Sequence, residues 1–157
     1  MTPRTKHPIE GRSNGYEAVA AEYMSRRVKR NVGVATVQRW TRSLPHGGAV
    51  VDLGCGHGLP LSMTLLDEGL AVHGIDASPS MVAAFRHRDP RAPVICEPAE
   101  TSDFFGRTFD GALAWGLVFL LDEAAQRQLI RRVAQALKPG GRFLFTSPAR
   151  RAPGVTR

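Results

Sequence analysis

From residue 49 onward the chain alternates short apolar runs of β type with longer stretches in which apolar residues recur every three or four positions. The short runs fall at 49–53, 71–75, 93–96, 109–115 and 142–146. The helical stretches fall at 59–68, 78–88 and 122–137. This alternation predicts an α/β fold, a Rossmann-like doubly wound sheet of five parallel strands with helices on both faces. In the last helical stretch Leu129, Ile130, Val133, Ala134 and Leu137 form the expected buried face. Asp122 is placed to cap its start, and Lys138-Pro139-Gly140-Gly141 to stop it. Upstream, 16–40 reads as helical with a break at Gly33, and Leu44-Pro45-His46-Gly47-Gly48 supplies turn chemistry before the first strand. The expected organisation is a tail and helical cap over 1–45, a core over 46–148 and a basic, disordered tail over 149–157.

Composition narrows the class. A chain of 157 residues with 43% hydrophobic content is the size of one globular domain. No segment approaches the roughly 18 consecutive apolar residues of a membrane span. With two cysteines, Cys55 and Cys96, and no secretory pattern at the start, a reducing, cytoplasmic setting is expected. Both cysteines are read as ending buried strands, Cys55 as a small buried side chain and His57 as an exposed loop residue. The histidines show no metal-ligand spacing, so no metal is expected.

The net charge of +7 is unevenly distributed. Residues 1–45 carry nine Lys/Arg against three Asp/Glu, 46–137 carry seven against eleven, and 138–157 carry five against none. The core is therefore acidic and the flanks basic. The densest cluster, Arg26-Arg27-Lys29-Arg30, is read first as a solvated helix end, and with the rest of the flanks it keeps RNA as a second class of partner.

The candidate chemistry sits in VVDLGCGHGLP, residues 50–60. A buried strand ending near Asp52 turns through Gly54, Gly56 and Gly58 into a helix, a setting that favours an anion or a polar ligand edge. A phosphate loop would need GxxxxGK[ST], but Leu59-Pro60 stand where Gly-Lys should. A dinucleotide loop would need glycine at 59, which leaves an NAD-dependent oxidoreductase as a minor reading. Asp76, at the end of the second strand, is placed to accept the hydroxyls of a ribose, so a nucleoside without a pyrophosphate loop is implied.

In its four ordered motifs, VVDLGCGHG, GIDASPSMV, FDGALAWG and LKPGGRFLF, the sequence resembles the class I S-adenosylmethionine-dependent methyltransferases. The resemblance implies S-adenosyl-L-methionine (SAM) as cofactor and a small molecule as acceptor. It places Asp52, Gly54 and Gly56 beside the methionine part, with Gly58 admitting the helix. It sets Asp76 and Ala77 at the ribose, Ala99 with Glu97 or Glu100 at the adenine, and Trp115 near the reactive methyl. Tyr16, Tyr23 and Arg26 become candidates to close over the site. Chemistry by alignment needs no conspicuous acid or base, and no catalytic residue is assigned.

Family members commonly continue past the fifth strand with a helix and an antiparallel strand pair. Here RFLFTSP is followed only by ARRAPGVTR. A chain cut short near Pro148 is therefore expected, its fifth strand an exposed edge, and a non-catalytic SAM-binding remnant is the alternative reading.

Overall fold

The computed structural model describes residues 31–148. The residues 16–30, with Tyr16, Tyr23 and the arginine cluster, and the tail 149–157 lie outside the described residues. The elements run α1 (Val34–Thr41), β1 (Ala49–Leu53), α2 (Leu61–Asp67), β2 (Ala71–Asp76), α3 (Pro79–Arg88), β3 (Val94–Cys96), β4 (Phe109–Ala114), α4 (Glu123–Ala136) and β5 (Leu137–Phe145). All strand pairs are parallel, in the order β3-β2-β1-β4-β5. The α/β fold expected from the alternating pattern is the fold observed. Among the described residues no antiparallel strand follows β5.

β1 lies at the centre and all five of its residues are buried. Because side chains alternate across a strand, it feeds two cores. Val51 and Leu53 join Ile75, Phe109, Ala112, Leu129 and Val133 on the α4 face. Val50 joins Val37, Leu61, Leu65, Val72 and Leu113 on the face covered by α1 and α2. The indole of Trp40 packs so close to β4 that a Cβ at Gly111 would sit 3.0 Å from the ring, so any side chain there would require the indole to give by a few tenths of an ångström. At the amino end of the sheet, Asp110 Oδ2 accepts from Ala49 N at 2.8 Å and from Lys138 Nζ at 3.3 Å, which fastens β1, β4 and the start of β5 together.

The helix starts obey local chemistry. Ser78 Oγ accepts from Met81 N ahead of Pro79, and Asp122 Oδ1 accepts from Ala125 N at 2.8 Å. Three expectations need correction. β5 begins at Leu137, directly after α4, and Lys138–Gly141 form a bulge inside it, because Leu137 pairs with Phe109 while Arg142 pairs with Gly111. The tetrapeptide ends the helix, as expected, but by opening a strand. Second, the buried stripe of α4 runs through Ala125, Leu129, Val133 and Ala136; Ile130 is 47% exposed and Ala134 is also at the surface, one position around the helix. Third, Cys96 ends the edge strand β3 and is exposed.

Between β3 and β4 the chain descends the α4 face through two single-turn 3-10 segments, Ala99–Thr101 and Phe104–Gly106, instead of a helix. The corrected face of α4 has a direct consequence. Leu129→Ala should lower unfolding stability by about 2–5 kcal/mol, whereas Ile130→Ala should stay within about 0.5 kcal/mol of the parent in urea denaturation.

Candidate functional site

The carboxyl ends of β1 and β2 lie side by side, with Asp52 paired to Gly74 and Leu53 to Ile75. The glycine loop leaves β1 there, and its first amides turn toward β2. Gly54 N and Cys55 N both donate to the Ile75 carbonyl, at 2.8 and 3.1 Å. Gly56 N donates to Asp76 Oδ2 at 2.8 Å. Further on, Gly58 N donates to the Cys55 carbonyl and Leu59 N to His57 Nδ1. Five amides of the loop are thus engaged within the protein. The backbone can follow this path because Gly54, Gly56 and Gly58 adopt φ of +69, +59 and +90, values that side chains oppose. Gly58 carries a second constraint, since a Cβ there would lie 3.0 Å from Met63 Cε and 3.1 Å from the Phe85 ring.

Asp76 is held from both sides, Oδ2 by Gly56 N and Oδ1 by Ser78 N at 2.9 Å. The cap of α3 is Ser78, so Asp76 serves the loop and its own turn and is not the helix cap. An ionised carboxylate is acceptor-only, so any ligand group that meets it must donate. Asp52 is 3% exposed and its Oδ2 accepts from Ser62 Oγ at 2.5 Å. The hydroxyl comes from the first turn of α2. Together with Gly54, Gly56, Leu61 and Trp115, Asp52 lines a small cleft. Leu117 stands over Gly54, and the ring of Trp115 lies against Gly33, where a Cβ would meet it at 2.6 Å.

His57 is 2% exposed, not a surface loop residue: its ring nitrogen receives Leu59 N and its carbonyl receives Arg88 Nε at 3.3 Å. Cys55 is seated against β2, its sulfur where a Cβ of Gly74 would fall, at 2.8 Å. Burial, followed by the negative charges of Asp52 and Asp76, pushes its thiol well above the ordinary value. At the end of β3, Glu97 N donates to the Asp76 carbonyl at 3.0 Å, which brings the next turn beside the loop. The Glu97 carboxylate, however, accepts from Ser102 Oγ at 2.5 Å, while Glu100 sits half-buried beside buried Ala99. Among the described residues no group of three or more His, Cys, Asp or Glu is arranged to hold a metal, and no helix is long and apolar enough to cross a membrane.

Residues 50–141 match the family described as methyltransferase domain. The chain belongs to that family, the class I SAM-dependent methyltransferases. This methyltransferase domain is 34% identical over 115 residues to the aklanonic acid methyltransferase DauC of a Streptomyces species, covering 68% of this chain and 50% of that protein. It resembles the crystal structure of the glycopeptide N-methyltransferase MtfA complexed with SAM at 31% identity and a TM-score of 0.63, over 72% of this chain and 53% of that one. The fold also matches a TehB-like methyltransferase from Corynebacterium glutamicum, at 22% identity and a TM-score of 0.71, over 82% and 72% of the two chains. The chain spans about half the length of the first of these relatives.

Sequence reasoning picked out the acids and glycines that the structure brings together at this loop but missed the groups that hold them: Ser62, the Ile75 carbonyl, Leu117 over the loop and Gly33 beneath Trp115. Ser62 carries a faint signal as the hydroxyl in the first turn of the helix that the loop enters; a backbone carbonyl carries none. The two cysteines give a test. Iodoacetamide at pH 8 should modify the native chain rapidly at Cys96 and slowly, by at least about tenfold, at Cys55, because a raised pKa leaves little thiolate. Mass spectrometry of the alkylated peptides reads this directly, and equal rates would contradict the described loop.

Proposed function

We propose that this domain binds SAM at the glycine loop and transfers its methyl group to a small-molecule acceptor. The observation that carries the reading is the sign of the site. Among the described residues the cleft is lined by Asp52 and by no Lys, Arg or His, Asp76 adjoins it through Gly56, and five of the loop amides are already engaged. The field of both aspartates reaches the Cys55 thiol between them. Such a site disfavours a pyrophosphate and suits a ligand bearing cationic centres and ribose hydroxyls. SAM, with its sulfonium and ammonium groups, has that chemistry.

In this reading Asp52, fixed by Ser62, faces the ammonium end, and Gly54 and Gly56 let the methionine part lie along the loop. Asp76 accepts the ribose hydroxyls while keeping the loop in place, and Ala77 borders the sugar. Ala99 packs on the adenine, with Glu100 as the acid that receives its amino group, since Glu97 is turned to Ser102. Trp115 walls the end at which the methyl would emerge. Bound there, SAM supplies a methyl group on a sulfonium to an attacking nucleophile, and the acceptor's proton leaves to solvent. The chain's contribution is alignment and exclusion of water, a form of catalysis that can supply roughly 7–11 kcal/mol without a dedicated base. The aklanonic acid and glycopeptide named for its relatives support a small-molecule acceptor.

Isothermal calorimetry tests the reading. S-adenosylhomocysteine should bind the 157-residue chain, NADH should not, and Asp76→Ala should weaken the first at least about tenfold, the loss expected for hydrogen bonds to a charged group. Equal binding by parent and variant, or preference for NADH, would contradict it.

A further inference from the structure

We propose that the chain carries a second ligand site, for a small phosphate- or carboxylate-bearing anion, in the cleft at the amino end of the sheet where Arg107 and Arg132 meet. The cleft is formed by the loop that precedes β4 and the last turns of α4. Ser102, Asp103, Arg107, Thr108, Arg132 and Gln135 supply its polar lining. It lies at the opposite end of β4 from Trp115 and the glycine loop, so its occupant does not compete with a nucleoside at that loop.

Both guanidinium groups are fixed through neutral partners. Arg132 donates to the Ser102 carbonyl at 2.8 Å. Arg107 donates to the Thr108 carbonyl and to His73 Nε2, at 3.4 and 3.2 Å, and lies 5.2 Å from the centre of the Phe109 ring. Arg107 cannot accept a proton, so the facing imidazole nitrogen is the acceptor and His73 is neutral. Burial and the Arg107 charge lower the His73 pKa in the same sense. Among the described residues neither arginine has a carboxylate within ion-pair distance. Each therefore keeps a full charge and most of its donors, the planar fork that matches oxyanions.

The backbone that sets Arg107 in place is strained. Phe104 and Phe105 have φ of +53 and +59, followed by Gly106 at +62, and bulky residues rarely occupy this left-handed region. The turn packs Phe105 edge-on against His73, with ring centres 5.0 Å apart, and brings Arg107 across Phe109. Strain of this kind persists where its product is used. Here that product is the placement of a guanidinium in an open cleft. Asp103 is the opposing charge and provides the control.

The test is a titration of the 15N-labelled chain with inorganic phosphate, with ionic strength held constant by chloride. Saturable amide shifts should be confined to 102–108 and 132–136. Arg132→Gln should weaken them by about fivefold or more, and Asp103→Asn should strengthen them about twofold. Affinity for S-adenosylhomocysteine should be unchanged in both variants, which separates this site from the one proposed above. Identical shifts with chloride alone, or an unaltered response in Arg132→Gln, would overturn the proposal. So would saturation of these amides by a short uridine oligonucleotide when phosphate leaves them unmoved, which would assign the cleft to nucleic acid.

Discussion

Asp76 accepts the Gly56 amide at 2.8 Å through one oxygen and the Ser78 amide at 2.9 Å through the other, and the carboxyl end of the sheet takes its form from that clamp. The first bond ties the glycine loop to β2, and the second starts the turn into α3. A hydrogen bond to a charged group contributes about 1.5–3 kcal/mol, so one side chain fixes two neighbouring connections. The Ile75 carbonyl reinforces the clamp by accepting the two preceding loop amides, and buried Asp52, held by Ser62, closes the other side.

The clamp also decides the electrostatics. A glycine loop entering a helix is ordinarily an anion cradle because its amides point outward. Here five of those amides are turned to the protein's own acceptors, and two carboxylates stand where positive charge would be needed for phosphate. The raised thiol pKa of Cys55 reports the resulting negative field from within the loop. An acidic cradle at one end of the sheet and, among the described residues, two arginines without a carboxylate partner at the other make the domain electrically polar along β4 within a core that is net acidic over 46–137.

The alternation of apolar runs and helical periodicity was enough to read five parallel strands, because each buried strand needs a continuous apolar segment whatever its neighbours are. The acids at 52 and 76 were legible for a related reason: an aspartate ending a buried strand is conspicuous. Less legible were features decided by packing between distant segments. The burial of His57 depends on Arg88, 31 residues away, and on a local bond to Leu59 N. The exposure of Ile130 depends on how far α4 is rotated on the sheet, a rotation of one residue that the periodic pattern does not resolve. The early start of β5 required knowing that Phe109 pairs with Leu137 across a bulge. The strained turn at 104–106 left no mark in composition, since nothing about two phenylalanines announces a left-handed backbone.

The central claim is that the Asp76 carboxylate meets a ribose while it holds the loop, and loss of the side chain alone cannot separate those roles. Comparing S-adenosylhomocysteine with its 2′,3′-dideoxy analogue, on the parent chain and on Asp76→Ala, does so. The account predicts that removing the hydroxyls weakens binding at least about tenfold in the parent and less than about twofold in the variant, the coupling expected of directly interacting groups. Equal losses in both proteins would show that Asp76 shapes the loop without touching the sugar, and would contradict the account.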